Sequence, residues 1–183
     1  MVDRHERRFL GVDPGLTRTG LGIITVKRDE LFYAASQLIE PAPGQALSDR
    51  LHQLYTSTTH FLQQWHPEAM VVEDLIYARN AQVALKLGQA RGVLLLAAAE
   101  HGIPVIEYAP REVKLAVTGY GAASKQQVQR MVQAVLNIPA LSLSHDVADA
   151  LALAICHAQR HGGRSPKASN TKRENAAFVG FPS

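Results

Sequence analysis

The run Phe9-Leu10-Gly11-Val12-Asp13-Pro14-Gly15 decides how the rest of the chain is read. A short buried strand leads into an aspartate, and the Pro-Gly pair behind it marks a turn. Two β-rich segments follow, Leu21 to Val26 and Leu31 to Leu38, separated by the polar turn Lys27-Arg28-Asp29-Glu30. Three such segments with short connections predict an antiparallel meander. After Pro41, Pro43 and Gly44 the period changes. From Ala46 to Trp65, Leu47, Leu51, Leu54, Tyr55, Thr58, Phe61 and Leu62 recur at helical spacing, and His66-Pro67 ends the run. Ala69 to Glu73 predicts a fourth strand, Ala81 to Glu100 a long helix ended by Gly102, and Pro104 to Tyr108 a fifth strand. A loop holding Gly119 and Gly121 then leads to helices from about Ser124 to Leu136 and from about His145 to His161. The expected fold is one α/β domain over residues 1–161, its sheet mixing antiparallel and parallel strands.

The 183 residues are 46% hydrophobic and 19% charged, enough apolar material for a core and too much for a disordered chain. A single cysteine, Cys156, leaves no disulfide framework and no Cys-rich zinc module, and fits a reducing cytosol. The longest apolar run, Val93 to Ala99, is far short of the roughly 20 residues of a membrane span. The charged N-terminus enters a strand-like segment, so no secretion signal is expected. Lys and Arg balance Asp and Glu up to residue 160. The whole net charge of +3 lies beyond it, in Arg164, Lys167, Lys172 and Arg173 against Glu174. Residues 162–183 are expected to be a basic, disordered tail. Electrostatic contact with nucleic acid and a merely solvated terminus both fit it.

Four acids stand where solvent is not expected. Asp13 and Glu73 each end an apolar strand. Asp146 and Asp149, three apart, share one face of the last helix, and Asp149 interrupts an apolar run from Val147 to Ile155. Each has an ordinary explanation. Asp13 suits a turn before Pro-Gly, an arginine such as Arg79 offers Glu73 an ion pair, and Asp146 suits a helix N-terminus. Asp149 is the hardest to explain so, because no Lys or Arg occurs between Arg130 and Arg160 and a buried unpaired carboxylate costs several kcal/mol. Strand ends and a helix face can converge on one crevice. Four carboxylates there would suit hard divalent cations, Mg²⁺ on ligand type, and two such ions can drive phosphodiester hydrolysis.

Leu10-Gly11-Val12-Asp13-Pro14-Gly15, Glu73 at a strand end, Ala81 to Gly92 (AQVALKLGQARG) and His145 to Ala152 (HDVADALA) together resemble the RuvC family. These are Holliday junction resolvases of the ribonuclease H-like superfamily, and the resemblance runs from about Phe9 to His161. It implies a ribonuclease H-like domain whose five-stranded sheet has three antiparallel strands and then parallel ones. It makes Asp13, Glu73, Asp146 and Asp149 the catalytic, metal-binding tetrad, holding two Mg²⁺ ions for which Mn²⁺ can substitute. A histidine replaces the third acid in some members; here Asp-x-x-Asp favours Asp146, with His145 a neighbour that either titrates near neutrality or only opens the helix.

The resemblance also implies DNA contacts. The loop after Glu73 carries Ile76, Tyr77 and Arg79 and would enter the centre of a four-way junction. Some relatives have an aromatic residue at the position of Ile76, so either Ile76 or Tyr77 does the stacking, worth roughly 1–3 kcal/mol per base. Lys114 and Lys125 match lysines near the phosphate backbone, and Arg111 lies in the same segment. Gly119-Tyr120-Gly121 is expected to form a mobile turn that DNA can approach. Two symmetric cuts call for a C2 homodimer. The helix from Ala81, with Ala84, Gly88 and Gly92 at four-residue spacing and an apolar surface after Gly92, would form its interface unless another helix of the same chain covers it. RuvA and RuvB are the partners implied, and the cytoplasm the location. The expected function is metal-assisted resolution of Holliday junctions by paired nicks in recombination and repair. A non-catalytic junction-binding protein is the alternative, and an actin-like ATPase or sugar kinase needs a longer chain.

Overall fold

Side chains alternate between the two faces of a strand, and that alternation sorts this molecule into layers. The computed structural model describes residues 6–74, 81–139 and 144–161. In it β1 (Arg7–Asp13) pairs antiparallel with β2 (Thr19–Lys27), and β2 with β3 (Glu30–Ile39). On its other side β1 pairs parallel with β4 (Ala69–Glu73), which pairs parallel with β5 (Val105–Tyr108). The strand order β3-β2-β1-β4-β5 is the mixed five-stranded sheet expected from the sequence.

Among the described residues five helices cover the two faces: α1 (Leu47–Trp65), α2 (Ala81–Glu100), α3 (Pro110–Thr118), α4 (Lys125–Leu136) and α5 (His145–Arg160). Leu10, Val12, Met70 and Val72 pack with Leu54, Phe61 and Leu62 of α1 and Ala90, Leu94 and Ala98 of α2. Phe9 and Val71, one residue out of phase, pack instead with α3, α4 and α5. Even-numbered residues of β1 and β4 therefore face α1 and α2, and odd-numbered ones face α5.

Glycine lets α5 lie directly on the sheet. A Cβ on Gly11 would stand 1.7 Å from the Ala150 carbonyl oxygen, and one on Gly20 2.1 Å from that of Asp146. Any side chain at either position would push the helix away, and with it Asp146 and Asp149.

One expectation changes. Residues 110–118, expected to be loop, form α3. Pro110 pre-sets the first turn, Glu112 accepts the Ala109 N–H at 3.0 Å, and Gly119 ends the helix with φ 75°. Gly119 and Gly121 thus follow a helix, and Gly121 is small because Arg111 lies against it: its Cβ would meet Arg111 Cγ at 2.8 Å. Past Gly92 α2 is apolar up to Ala99, and on the side carrying Leu94 and Ala98 it is covered by α1, another helix of the same chain. Among the described residues no helix is long and apolar enough to cross a membrane.

Candidate active site

The parallel register Val12↔Val72 brings the carboxyl ends of β1 and β4 side by side. Asp13 and Glu73 each come one residue later, both in odd phase, and so face α5. Ser144 caps that helix by accepting the Val147 N–H, which starts the turn carrying Asp146; Asp149 follows one turn on. A crevice of about 280 Å³ opens between the strand ends, α3, α4 and α5. Asp13, Glu73, Asp149, Lys114 and Lys125 line it, with Val113, Val128 and Leu153 as its apolar wall.

The carboxylates act on one another. Asp13 is pushed up to about 7, first by burial and then by the charges of Asp149, Asp146 and Glu73, against the opposing pull of Lys125. Glu73 is open to solvent on one side, but the crevice wall and then Asp149 hold its carboxyl above the usual carboxylate range. The Lys125 ammonium is raised in turn, chiefly by Asp149. A lysine in the first turn of α4 opposes the helix macrodipole, and the acids across the crevice offset that.

The sequence offers Asp149 no Lys or Arg between Arg130 and Arg160, and a helix N-terminus is the ordinary explanation of Asp146. The structure gives each a cationic partner from elsewhere in the chain. Lys125 Nζ lies 3.3 Å from Asp149 Oδ2, and Arg18 Nε donates to Asp146 Oδ2 at 2.8 Å. Asp149 also keeps 31% of its side-chain surface exposed, so it is not an unpaired buried charge. Its partner comes from 24 residues upstream, across the crevice, where a count along the helix does not look. Asp146 sits beside Arg18, away from the crevice lining, and bears on Asp13 through charge alone. Three of the four expected acids therefore share the crevice, and the fourth, Asp146, does not line it.

As a donor set these oxygens suit hard divalent cations. Among the described residues, however, no three His, Cys, Asp or Glu side chains are already gathered around one ion. Two of the carboxylates are instead held by cations of the chain, Asp149 by Lys125 and Asp146 by Arg18.

The remaining expected residues divide cleanly. Lys114 and Lys125 are at the crevice. Arg111 is exposed on α3, outside the crevice lining, and His145 is exposed at the start of α5. Ile76, Tyr77 and Arg79 lie outside the described residues. Three residues escaped the sequence reading. Thr19 closes the β1–β2 turn, its hydroxyl donating to the Gly15 carbonyl at 2.6 Å and accepting the Gly15 N–H at 3.0 Å. Arg18 rides on that turn. Arg91 reaches the end of β4 from the other face of the sheet, where its guanidinium donates to the Glu73 carbonyl at 2.7 Å. An arginine next to the long apolar run Val93 to Ala99 was the available signal for the last.

Comparison with known proteins agrees with this geometry. Residues 9–157 match the family model for "Crossover junction endodeoxyribonuclease RuvC". The protein of that name from Citrifermentans bemidjiense is 44% identical over 154 residues, covering 84% of this chain and 93% of the relative. That from Desulforamulus reducens is 45% identical over 159 residues, covering 85% and 98%. The structure of Thermus thermophilus RuvC in complex with a Holliday junction substrate superposes with a TM-score of 0.80 at 33% identity, covering 85% of this chain and 94% of that one. With a family-model match over nearly its whole described length and relatives about 44% identical across most of both chains, this chain belongs to the RuvC family of crossover junction endodeoxyribonucleases.

Proposed function

We propose that this protein is a divalent-metal-dependent endonuclease that resolves Holliday junctions by paired, symmetric nicks. The observation that carries the reading is the convergence of Asp13, Glu73 and Asp149 on one crevice with Lys114 and Lys125. A binding protein has no need of carboxylates facing a phosphate backbone, which they repel. The non-catalytic alternative is therefore not favoured.

Asp13, Glu73 and Asp149 would hold the cations, with Asp146 joining once Arg18 lets go. Bound there, Mg²⁺ (two ions, Mn²⁺ substituting) supplies Lewis acidity and lowers the pKa of water for attack on phosphorus. Asp13 must release the proton it retains up to about 7 before it can serve as a ligand. Lys125, freed from Asp149, and Lys114 are placed to take the phosphate, which positions the strand without reading its sequence. The water oxygen would bond to phosphorus as the P–O3′ bond breaks, giving a 5′-phosphate, and the 3′ oxygen would leave with a proton as a hydroxyl, ends that ligase can seal. Arg111, Ile76, Tyr77 and Arg79 are proposed contacts to the junction, and the basic residues 162–183 an electrostatic arm separate from the domain 1–161.

Paired cuts require two sites at a fixed separation, and a C2 homodimer through α2 supplies them. Its early half is exposed, with Val83 and Leu85 55% and 65% accessible, and there is open space above Gly88 and Gly92. Cytoplasmic action alongside RuvA and RuvB completes the proposal. The test is cleavage of a synthetic four-way junction with Mg²⁺, with EDTA and linear duplex as controls. Paired nicks that EDTA abolishes are expected. Tight junction binding with no cleavage in either Mg²⁺ or Mn²⁺ would overturn the catalytic reading.

A further inference from the structure

We propose that Arg91 is a positioning residue for the catalytic strand end, holding Glu73 in register from the opposite face of the sheet. The inference rests on the nuclease reading of the crevice and deepens it.

The pairing of β1 with β4 ends at Val12↔Val72, so the Glu73 carbonyl lies beyond that ladder. Arg91 supplies the missing donor at 2.7 Å. The other polar atom of the same peptide unit, the Asp74 N–H, donates to the Tyr108 carbonyl of β5 at 2.9 Å. One peptide plane is thus held at both ends, by the edge strand on one side and by α2 on the other. The Glu73 carboxylate leaves the backbone one bond before that plane, toward α5, so the plane's angle sets how the carboxylate enters the crevice. Without Arg91 the peptide is held only through its N–H and is free to pivot.

The guanidinium is itself fixed. It is 10% exposed, and its second arm meets Glu107 Oε1 at 2.6 Å on the same face of β5. Burying a guanidinium is expensive and an apolar isostere often serves stability as well. The arginine's distinctive contribution is two directed donors, one for the carboxylate that anchors it and one for the carbonyl it holds. Residues that orient metal ligands from behind typically cost 10–100-fold in metal affinity or activity when changed.

The test uses the full chain carrying Arg91→Gln, Arg91→Lys or Glu107→Gln. It reads single-turnover junction cleavage against Mg²⁺ concentration, the Mg²⁺-induced rise in melting temperature, junction affinity in EDTA, and hydrogen exchange at the Asp74 amide. For Arg91→Gln, half-saturating Mg²⁺ should rise roughly tenfold or more, Asp74 exchange should quicken, and junction affinity in EDTA should hold within about twofold because phosphate contacts carry it. Arg91→Lys, which keeps a charge but not the fork, should recover part of each loss. A folded Arg91→Gln protein with lower melting temperature but unchanged Mg²⁺ response and Asp74 exchange would overturn the proposal. Should Arg91→Gln not fold, unchanged values of both in Arg91→Lys and Glu107→Gln would overturn it equally. Wild-type protein that never cleaves would defeat the nuclease reading instead, while Asp74 exchange and the Mg²⁺-induced melting shift would still report whether Arg91 holds the strand end.

Discussion

Replacing Asp13 by Asn should destroy cleavage and, without divalent metal, make the protein more stable. The cause is the carboxyl that burial and three neighbouring acids hold up to about 7 against an ordinary value of 3.8. Below 3.8 the folded and unfolded chains both keep the proton and nothing is lost. Between 3.8 and about 7 only the folded chain keeps it, so stability falls as pH rises; above 7 the loss is complete. At about 1.4 kcal/mol per pH unit the full cost is slightly above 4 kcal/mol, which partial contact with solvent reduces to about 2–4 kcal/mol. Asparagine has nearly the same shape and no charge, so it escapes this cost.

Urea unfolding in EDTA, followed by circular dichroism, measures the difference. The advantage of Asp13→Asn should grow by about 2–3 kcal/mol between pH 5 and pH 8. Adding Mg²⁺ should then narrow or reverse the order, because a ligand that binds only the folded wild type stabilises only the wild type. An advantage equal at both pH values would mean that repulsion among the carboxylates is not its source. A variant less stable at pH 8 would refute the reasoning outright.

Other outcomes follow from the same geometry. Asp149→Asn and Glu73→Gln should each lower cleavage at least about a hundredfold, on the scale of losing a metal ligand, while junction affinity in EDTA is kept; gel-based cleavage and binding assays on one preparation measure both. Gly11→Ala should cost about 3 kcal/mol or more, since its Cβ would fall 1.7 Å from the Ala150 carbonyl oxygen and neither backbone has room to yield; thermal unfolding reads this directly. Leu96→Glu, at a 52% exposed position of α2, should leave the fold intact but weaken a dimer built on that helix, and sedimentation should show the shift toward monomer together with loss of the coordinated second cut. Deleting residues 162–183 should flatten the dependence of junction affinity on salt, by about 0.9 in log–log slope for each phosphate contact removed; identical slopes would leave the tail without a DNA role.

What could be read from the chain, and what could not, divides along the range of the interactions. All five strands and four of the five helices follow from local alternation, helical spacing and turn residues, with ends displaced by a residue or two. The missed helix, α3, has nine residues and buries only Val113 and Val117, too few positions to show a period. Of its end signals, Gly119 was read as loop and Pro110 and Glu112 carried no reading. The strand-end acids stood out because carboxylates at the ends of apolar runs are costly wherever the chain puts them. Their partners did not stand out. Arg18 meets Asp146 across 128 residues, and Lys125 meets Asp149 across 24. Neither pairing exists until Gly11 and Gly20 let α5 settle onto the sheet.

Parity within two strands does more for the site than the acids do. Asp13 shares its face with Phe9 and Gly11, and Glu73 shares its face with Ala69 and Val71, so both carboxylates point where α5 brings a third. A slip of one residue in either strand would send its acid to the other face. There it would lie among Leu10, Val12, Met70 and Val72, all 0% exposed, where Arg91 is the buried cation and already holds Glu107. Burying a carboxylate among those side chains would cost several kcal/mol. The apolar phase of β1 and β4, two separate runs of four residues, therefore both rejects the wrong register and aims the site. That is why the candidate carboxylates could be picked out before any contact was known, whereas the cations that hold them could not.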